Sequence, residues 1–210
     1  MSSFFWGILS AIVYGSFAFA FGYVGDAQLF LFIFLPAQFV GIYLWSKQLD
    51  HQSTTRVKSL TWSGWCAMIV FSCMWIVFFY YEIPLFSKYL TKTYLFEERF
   101  IPHFLDAMTN GLSVMGEFLL IACYWEQYVL WTLVNLMLIL MYSGKTNFVL
   151  SKKTNFSFRK GFLGTTFDIN LLLVWIMLTC NSSCGLYTWY HRWKSDHSMS
   201  SSLSSKQRKV

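Results

Sequence analysis

Long stretches without a charged residue dominate the hydrophobic pattern of this 210-residue chain. Asp, Glu, Lys and Arg are absent from five stretches, which are 2–25, 27–46, 59–81, 127–144 and 169–191. Each stretch reaches or approaches the roughly 20 apolar residues that an α-helix needs to cross the hydrocarbon core of a bilayer. A sixth apolar segment, 103–124, carries two acidic residues. The pattern predicts six helices, at about 4–23, 28–46, 62–81, 103–124, 127–143 and 166–190.

Composition supports a membrane location for these helices. Charged residues make up only 12% of the chain and hydrophobic residues 56%, whereas soluble domains carry about 25% charged residues. We therefore predict an all-α integral membrane protein with about six transmembrane helices. Residues 1–197 would form a single polytopic transmembrane domain, and residues 198–210 a basic, Ser-rich tail without regular structure.

The net charge of +6 does not require a nucleic-acid partner. Basic loops that face lipid headgroups explain it, so the bilayer itself is the expected partner. The 16 Lys and Arg residues lie outside the predicted helices. Because they divide equally between the two predicted sides, the orientation in the membrane stays open.

Sequence signals for catalysis, cofactors and metals are weak. SGKT at 143–146 resembles the end of a phosphate-binding loop, but Ile139 stands where that loop needs Gly. His103 is the one histidine near a predicted membrane core, and a catalytic zinc site usually needs three protein ligands. The five cysteines lie in or at the ends of predicted helices, which favours a packing role. We expect neither an enzyme nor a bound cofactor or metal.

A polar stripe runs along the fourth predicted helix. It contains Asp106, Asn110, Ser113 and Glu117 at positions i, i+4, i+7 and i+11, which share one helical face. A carboxylate at mid-bilayer costs about 2.5–3.5 kcal/mol and usually lines a cavity or pathway. The alternative is polar contact between helices, where hydrogen bonds average only about 0.6 kcal/mol. We predict that Glu117 lies well inside the helix and lines a cavity.

The fifth predicted helix carries a second stripe, formed by Tyr128, Trp131 and Asn135. A turn around 125–127 would join the fourth and fifth helices into an antiparallel hairpin, so that the two stripes face one shared cavity. Aromatic rings beside amides suit a flat, polar ligand that is neutral or cationic, because rings stack and amides form hydrogen bonds.

Short repeats indicate two copies of a helical unit. GIYLW at 41–45 and GLYTW at 185–189 end the second and sixth predicted helices, 144 positions apart. FFWGILS at 4–10 has the same four-residue spacing of Trp and a polar residue as Trp131 and Asn135. These matches predict that the first and second helices correspond to the fifth and sixth. Transporters are often built from such repeats.

These motifs resemble the PnuC-type vitamin transporters, which are nicotinamide riboside transporters. FLDAMTNGLSVMGEFLL…YWEQYVLWTLVNLM at 104–137 is similar to the core of that family. AQFVGIYLWSK at 37–47 and GLYTW at 185–189 are similar to its two repeat-closing helix ends. Tyr128 stands where the family usually has the first Trp of its motif, which keeps an aromatic ring and adds a hydroxyl.

The resemblance implies a fold of three helices, a linker helix and three more. The third predicted helix would be the linker, and the first two would be the second and third helices of the first repeat. The family's first helix would then be missing from the chain. The implied substrate-binding residues are Gln38, Asn110, Glu117, Tyr128, Trp131 and Asn135.

The implied function is facilitated uptake of nicotinamide riboside, an NAD precursor, across the cell membrane by alternating access. A small-molecule vitamin would be the ligand, no cofactor would be needed, and the chain could form homo-oligomers. Two alternatives remain open. One is transport of thiamine or riboflavin on the same scaffold, and the other is a membrane interaction protein or truncated remnant that does not transport.

Overall fold

The structure is a computed structural model that describes residues 2–20, 24–48, 57–90, 100–142 and 169–207. The described residues form seven α-helices, which are α1 Ser2–Ala20, α2 Val24–Gln28, α3 Leu35–Gln48, α4 Trp62–Leu90, α5 Phe100–Ile121, α6 Gln127–Tyr142 and α7 Ile169–Gln207. A π-helical segment, Leu29–Phe34, joins α2 to α3 without a break. The chain Val24–Lys47 is therefore one membrane-length helix.

Length and hydropathy identify three described helices that could cross a membrane, namely Val24–Lys47, Trp62–Tyr89 and His103–Ile121. Two shorter apolar helices, Phe4–Ala20 and Gln127–Leu140, pack with them. Large apolar side chains are exposed on the outer faces of these helices. Such a surface is costly in water and suits lipid tails. The predicted all-α membrane fold is confirmed.

Two helices extend well beyond the ends predicted from hydropathy. Helix α4 continues past position 81 to Leu90 with Pro84 inside it, so Glu82 lies within the helix. Helix α7 continues past position 190 to Gln207, and therefore runs through most of the segment predicted to lack regular structure. No Pro or Gly occurs between 186 and 207 to end it. Hydropathy locates the apolar part of a helix and not the end of its hydrogen bonding.

The predicted hairpin of α5 and α6 is present, and a second segment covers its turn. The backbone N of Lys58 donates to the carbonyl O of Cys123 at 2.9 Å, and the backbone N of Trp125 donates to the carbonyl O of Lys58 at 3.2 Å. Glu126 Oε1 accepts from the backbone N of Leu60 at 2.7 Å. These bonds close one end of the bundle, called here the turn end. The opposite end, where α2 begins, is called the α2 end.

The two predicted repeat units pack alike at the turn end. In the first unit, the Phe4 ring lies against the backbone of Gly41, where an added Cβ would overlap it. The same ring meets Trp45 edge-on, with centroids 4.9 Å apart. Small residues allow this close approach of a ring to a helix backbone.

In the second unit, Tyr128 takes the place of that ring. It lies against Gly185, where an added Cβ would overlap it, and meets Trp189 edge-on at 5.5 Å between centroids. The two tryptophans, Trp45 and Trp189, also contact each other, with centroids 6.2 Å apart. The correspondence of α1 with α6 therefore aligns Phe4 with Tyr128. In this alignment Trp6 falls one position short of Trp131, so the predicted match of these two residues is wrong by one position. Trp6 is instead 64% exposed on the outer surface.

Candidate functional site

A buried amide–carboxyl pair joins α3 to α5. Gln38 Nε2 donates to Glu117 Oε1 at 2.7 Å, and the two residues are only 6% and 4% exposed. Glu117 lies one turn before the end of α5 at Ile121, nearer to the turn end than the sequence predicted. The covered turn keeps this region buried. Gly7 of α1 backs the Gln38 amide, because a Cβ there would overlap it.

Trp131 of α6 lies beside this pair. Its ring packs on Gly116, where an added Cβ would lie 3.0 Å from Trp131 Cε2. Phe34 meets the same ring edge-on, with centroids 5.8 Å apart. Phe34 is the last residue of the π-helical segment and lies one turn before Gln38. Segments of π-helix in α-helices are frequent at functional sites.

Asn110 belongs to a different polar group, at the α2 end. Its Nδ2 donates to the carbonyl O of Asp106 at 2.8 Å and to Asp106 Oδ1 at 3.1 Å. About 10 Å of helix rise separates Asn110 from Glu117, at 1.5 Å per residue. The polar stripe therefore lies on one face of α5, but its residues belong to two separate groups of contacts, one around Asn110 and one around Glu117.

Asn135 and Tyr128 face α7. Asn135 Nδ2 donates to Ser182 Oγ at 3.4 Å, and Thr132 Oγ1 donates to the same oxygen at 3.1 Å. Tyr128 packs on α7 through Gly185. The structure therefore bonds Gln38 to Glu117 and packs Trp131 on the residue before Glu117, while Asn110, Tyr128 and Asn135 make other contacts. Ligand binding by these six residues stays a prediction.

Further polar contacts at the α2 end were missed from the sequence. Tyr14 Oη donates to Asp26 Oδ2 at 3.1 Å, and Gln28 Nε2 donates to Glu82 Oε2 at 2.6 Å. One signal was available, since Asp26 interrupts an otherwise uncharged stretch from 2 to 46.

The charge inside the bundle is acidic. Four carboxyl groups lie within the three described membrane-length helices, and each accepts a hydrogen bond from a neutral side chain, namely Asp26, Glu82, Asp106 and Glu117. The basic residues of the described helices lie in the last turns of α3 and α4 and beyond position 191 of α7. In the described part of the chain, no group of three His, Cys, Asp or Glu residues could hold a metal ion. This arrangement favours a cationic ligand.

Comparison with known proteins assigns the chain to a family. The sequence profile described as "Nicotinamide mononucleotide transporter" matches residues 1–191. The chain belongs to this family. The predicted resemblance to the PnuC transporters is thereby confirmed, and the protein is a multi-pass membrane protein.

Individual relatives agree with this assignment. "Nicotinamide riboside transporter PnuC" of Haemophilus influenzae is 25% identical over 146 residues, which cover 68% of this chain and 59% of that protein. The protein of the same name from Neisseria mucosa is 24% identical over 194 residues, covering 90% and 64%. The chain thus spans about six-tenths of the length of these curated relatives. A solved structure titled "Crystal structure of the Vitamin B3 transporter PnuC" matches with a TM-score of 0.63 and 25% identity, covering 92% of this chain and 73% of that one.

Proposed function

We propose that the protein is a transporter of the cell membrane that mediates facilitated uptake of nicotinamide riboside by alternating access. The observation that carries this proposal is the buried Gln38–Glu117 pair beside Trp131, within a fold of the transporter family. The names of the two relatives support the choice of substrate.

The proposed site fits the chemistry of this vitamin. Nicotinamide riboside carries a flat pyridinium ring with a positive charge, an amide and a ribose. The Trp131 ring offers a face for stacking and for the positive charge. Glu117 supplies the opposite charge, and Gln38 fixes the orientation of its carboxyl group. Asn110, Tyr128 and Asn135 would then contact the amide and the ribose after side-chain rearrangement.

A phosphorylated substrate fits the same site poorly. The family description names nicotinamide mononucleotide, which carries a phosphate group. Buried phosphate needs cationic side chains or several backbone donors. The carboxyl groups of the described helices would instead repel it. We therefore favour the unphosphorylated riboside, as named for the relatives.

The two alternative vitamins, thiamine and riboflavin, differ in charge, so we expect them to differ in their attraction to Glu117. Thiamine has a cationic thiazolium ring and shares the attraction to Glu117, whereas riboflavin is neutral. Neither has the support of the relatives' names. A membrane interaction protein that does not transport would give no uptake of labelled vitamin into vesicles.

Isothermal titration calorimetry on the purified protein tests the proposal. The titrants are nicotinamide riboside, nicotinamide mononucleotide, thiamine and riboflavin. We expect nicotinamide riboside to bind most tightly, at least tenfold more tightly than the phosphorylated compound, and to be recovered chemically unchanged. The proposal fails if the phosphorylated compound binds as well, if the riboside does not bind, or if the protein converts it to a product.

A further inference from the structure

Helix α4 contains a proline that removes one of its own backbone hydrogen bonds. Pro84 lies inside the helix, whose last residue is Leu90. In a regular α-helix the N–H of residue 84 would donate to the carbonyl O of Tyr80, four positions earlier. Proline has no N–H, and its ring also crowds that carbonyl. The Tyr80 carbonyl therefore needs a donor from another helix, because an unsatisfied backbone group is costly inside a membrane.

His103 of α5 supplies this donor. Its Nε2 lies 2.6 Å from the carbonyl O of Tyr80, and the two rings are in contact with centroids 4.2 Å apart. A carbonyl oxygen only accepts hydrogen bonds, so Nε2 carries the proton in this contact. His103 is 8% exposed, which keeps water away from the bond. A side chain of α5 thus replaces the backbone donor that the proline removes from α4.

The two parts of α4 on either side of Tyr80 pack on different helices. In the first part, the backbone lies directly against Gly111 of α5, where an added Cβ would be 2.8 Å from a backbone N. In the second part, Glu82 accepts a hydrogen bond from Gln28 of α2 at 2.6 Å. The Phe86 ring meets Phe32 of the π-helical segment edge-on, with centroids 6.2 Å apart. The first part is therefore held by α5, and the last turns contact the helix that begins with α2.

We propose that the segment Tyr80–Pro84 is a hinge of α4, and that the His103 imidazole is the latch that holds the hinge to α5. Sharp bends in long helices occur mainly at prolines and at other interruptions of the backbone hydrogen bonds. When the bond from His103 opens, the last turns of α4 lose a tie to α5 and can pivot together with α2. In a transporter of two units, such a hinge lets the first unit move relative to α5, a consequence that rests on the proposed function.

A double-mutant cycle on the unfolding of the purified full chain tests the latch. His103→Phe keeps an aromatic ring against Tyr80 and removes the donor, whereas Pro84→Ala restores the backbone N–H. We expect His103→Phe to lower the denaturant midpoint of the wild-type protein. In the Pro84→Ala background the loss should be at most about half as large, because the restored N–H then serves the carbonyl. His103→Gln retains an N–H donor and should lose less than His103→Phe.

Hydrogen–deuterium exchange in the same micelles tests the hinge. The amides between 81 and 86 should exchange about tenfold faster in His103→Phe than in the wild-type protein, because the segment opens locally more often. They should exchange more slowly in Pro84→Ala. The amides between 66 and 76, which precede the hinge in the same helix, are the internal control and should not change.

Equal losses of the midpoint in both backgrounds would overturn the latch, since His103 would then act on something other than the carbonyl that Pro84 leaves open. If His103→Phe alone does not fold, the double variant decides, because the restored N–H should rescue it. Failure of both to fold would equally overturn the latch. Unchanged exchange between 81 and 86, or an equal rise between 66 and 76, would overturn the hinge. Because neither measurement contains a vitamin, these outcomes are independent of whether nicotinamide riboside is transported.

Discussion

Trp131 combines a fixed position with a ring that is only partly buried. Gly116 lies under the ring and Phe34 meets it edge-on, so its orientation is set by packing. Glu117 is the residue that follows Gly116 in α5, and it is bonded to Gln38 of α3. A rigid aromatic ring beside an acidic side chain is a suitable contact for a flat organic cation.

Removal of the Trp131 side chain should weaken vitamin binding. If the ring stacks on the pyridinium of nicotinamide riboside, Trp131→Ala should cost about 1–3 kcal/mol of binding free energy, as in base–aromatic stacking. Calorimetry on the folded variant measures this. Trp62→Ala is the matched control, because Trp62 is 85% exposed on the outer surface and should not matter. Unchanged affinity in Trp131→Ala would remove Trp131 from the site.

The charge of Glu117 should discriminate between vitamins. Glu117→Gln keeps the size of the side chain and removes its charge. We expect weaker binding of nicotinamide riboside, by on the order of 2 kcal/mol for a charge pair at intermediate dielectric, with little change for neutral riboflavin.

Calorimetry of Glu117→Gln with both vitamins makes this comparison. Glu82→Gln is its control, since Glu82 lies at the α2 end and bonds Gln28. Equal riboside affinity in wild type and Glu117→Gln would mean that the carboxyl group contributes only to helix packing through Gln38.

At the scale of helices, glycines determine how closely neighbours approach. The α4–α5 pair is the clearest case, since Gly111 of α5 lies directly on the backbone of α4. A Cβ added there would lie 2.8 Å from the backbone N of Ile76 and 3.1 Å from its Cα. Backbone atoms cannot move aside as a flexible side chain does, so the two helices would have to separate.

Gly111→Ala should therefore destabilise the protein. Overpacking of this kind costs about 1–3 kcal/mol, and the free energy of unfolding should fall by that amount. Chemical unfolding in mixed micelles measures it. Gly64→Ala is the matched control, because its Cβ would press on the flexible end of Leu60, with Cδ2 at 3.0 Å, and would meet its other neighbours at an ordinary 3.5 Å. If both variants unfold alike, the close contact of α4 with α5 is not a determinant of stability.

Helices and their partners differ in how far the sequence predicts them. The apolar stretches predicted each long helix, because membrane insertion depends on hydropathy summed over many residues. The stripe on α5 was also predicted, and its members are buried. The hydrogen bond between Gln38 and Glu117 was not predicted. The two residues are 79 positions apart in the sequence, and their contact depends on how α3 packs on α5. The ends of α4 and α7 were missed because they depend on backbone hydrogen bonds rather than on hydropathy.

At the scale of the whole molecule, two similar units meet at the turn end. The rings of Phe4 and Tyr128 occupy equivalent places, and Trp45 contacts Trp189 between the units. Repeats of this kind let a transporter expose a central site to either side by rocking one unit against the other. The Gln38–Glu117 pair lies near the turn end of α5, and the bonded Asp106 and Asn110 lie nearer its other end.

Uptake by proteoliposomes that contain only the purified chain tests the central claim most directly. With labelled nicotinamide riboside outside and neither ATP nor an ion gradient, the internal concentration should rise to the external one and stop there. Trp131→Ala should slow this uptake, and Trp62→Ala should not. Uptake no faster than in protein-free vesicles, with the protein folded in the membrane, would contradict transport. Accumulation above the external concentration would contradict facilitated diffusion.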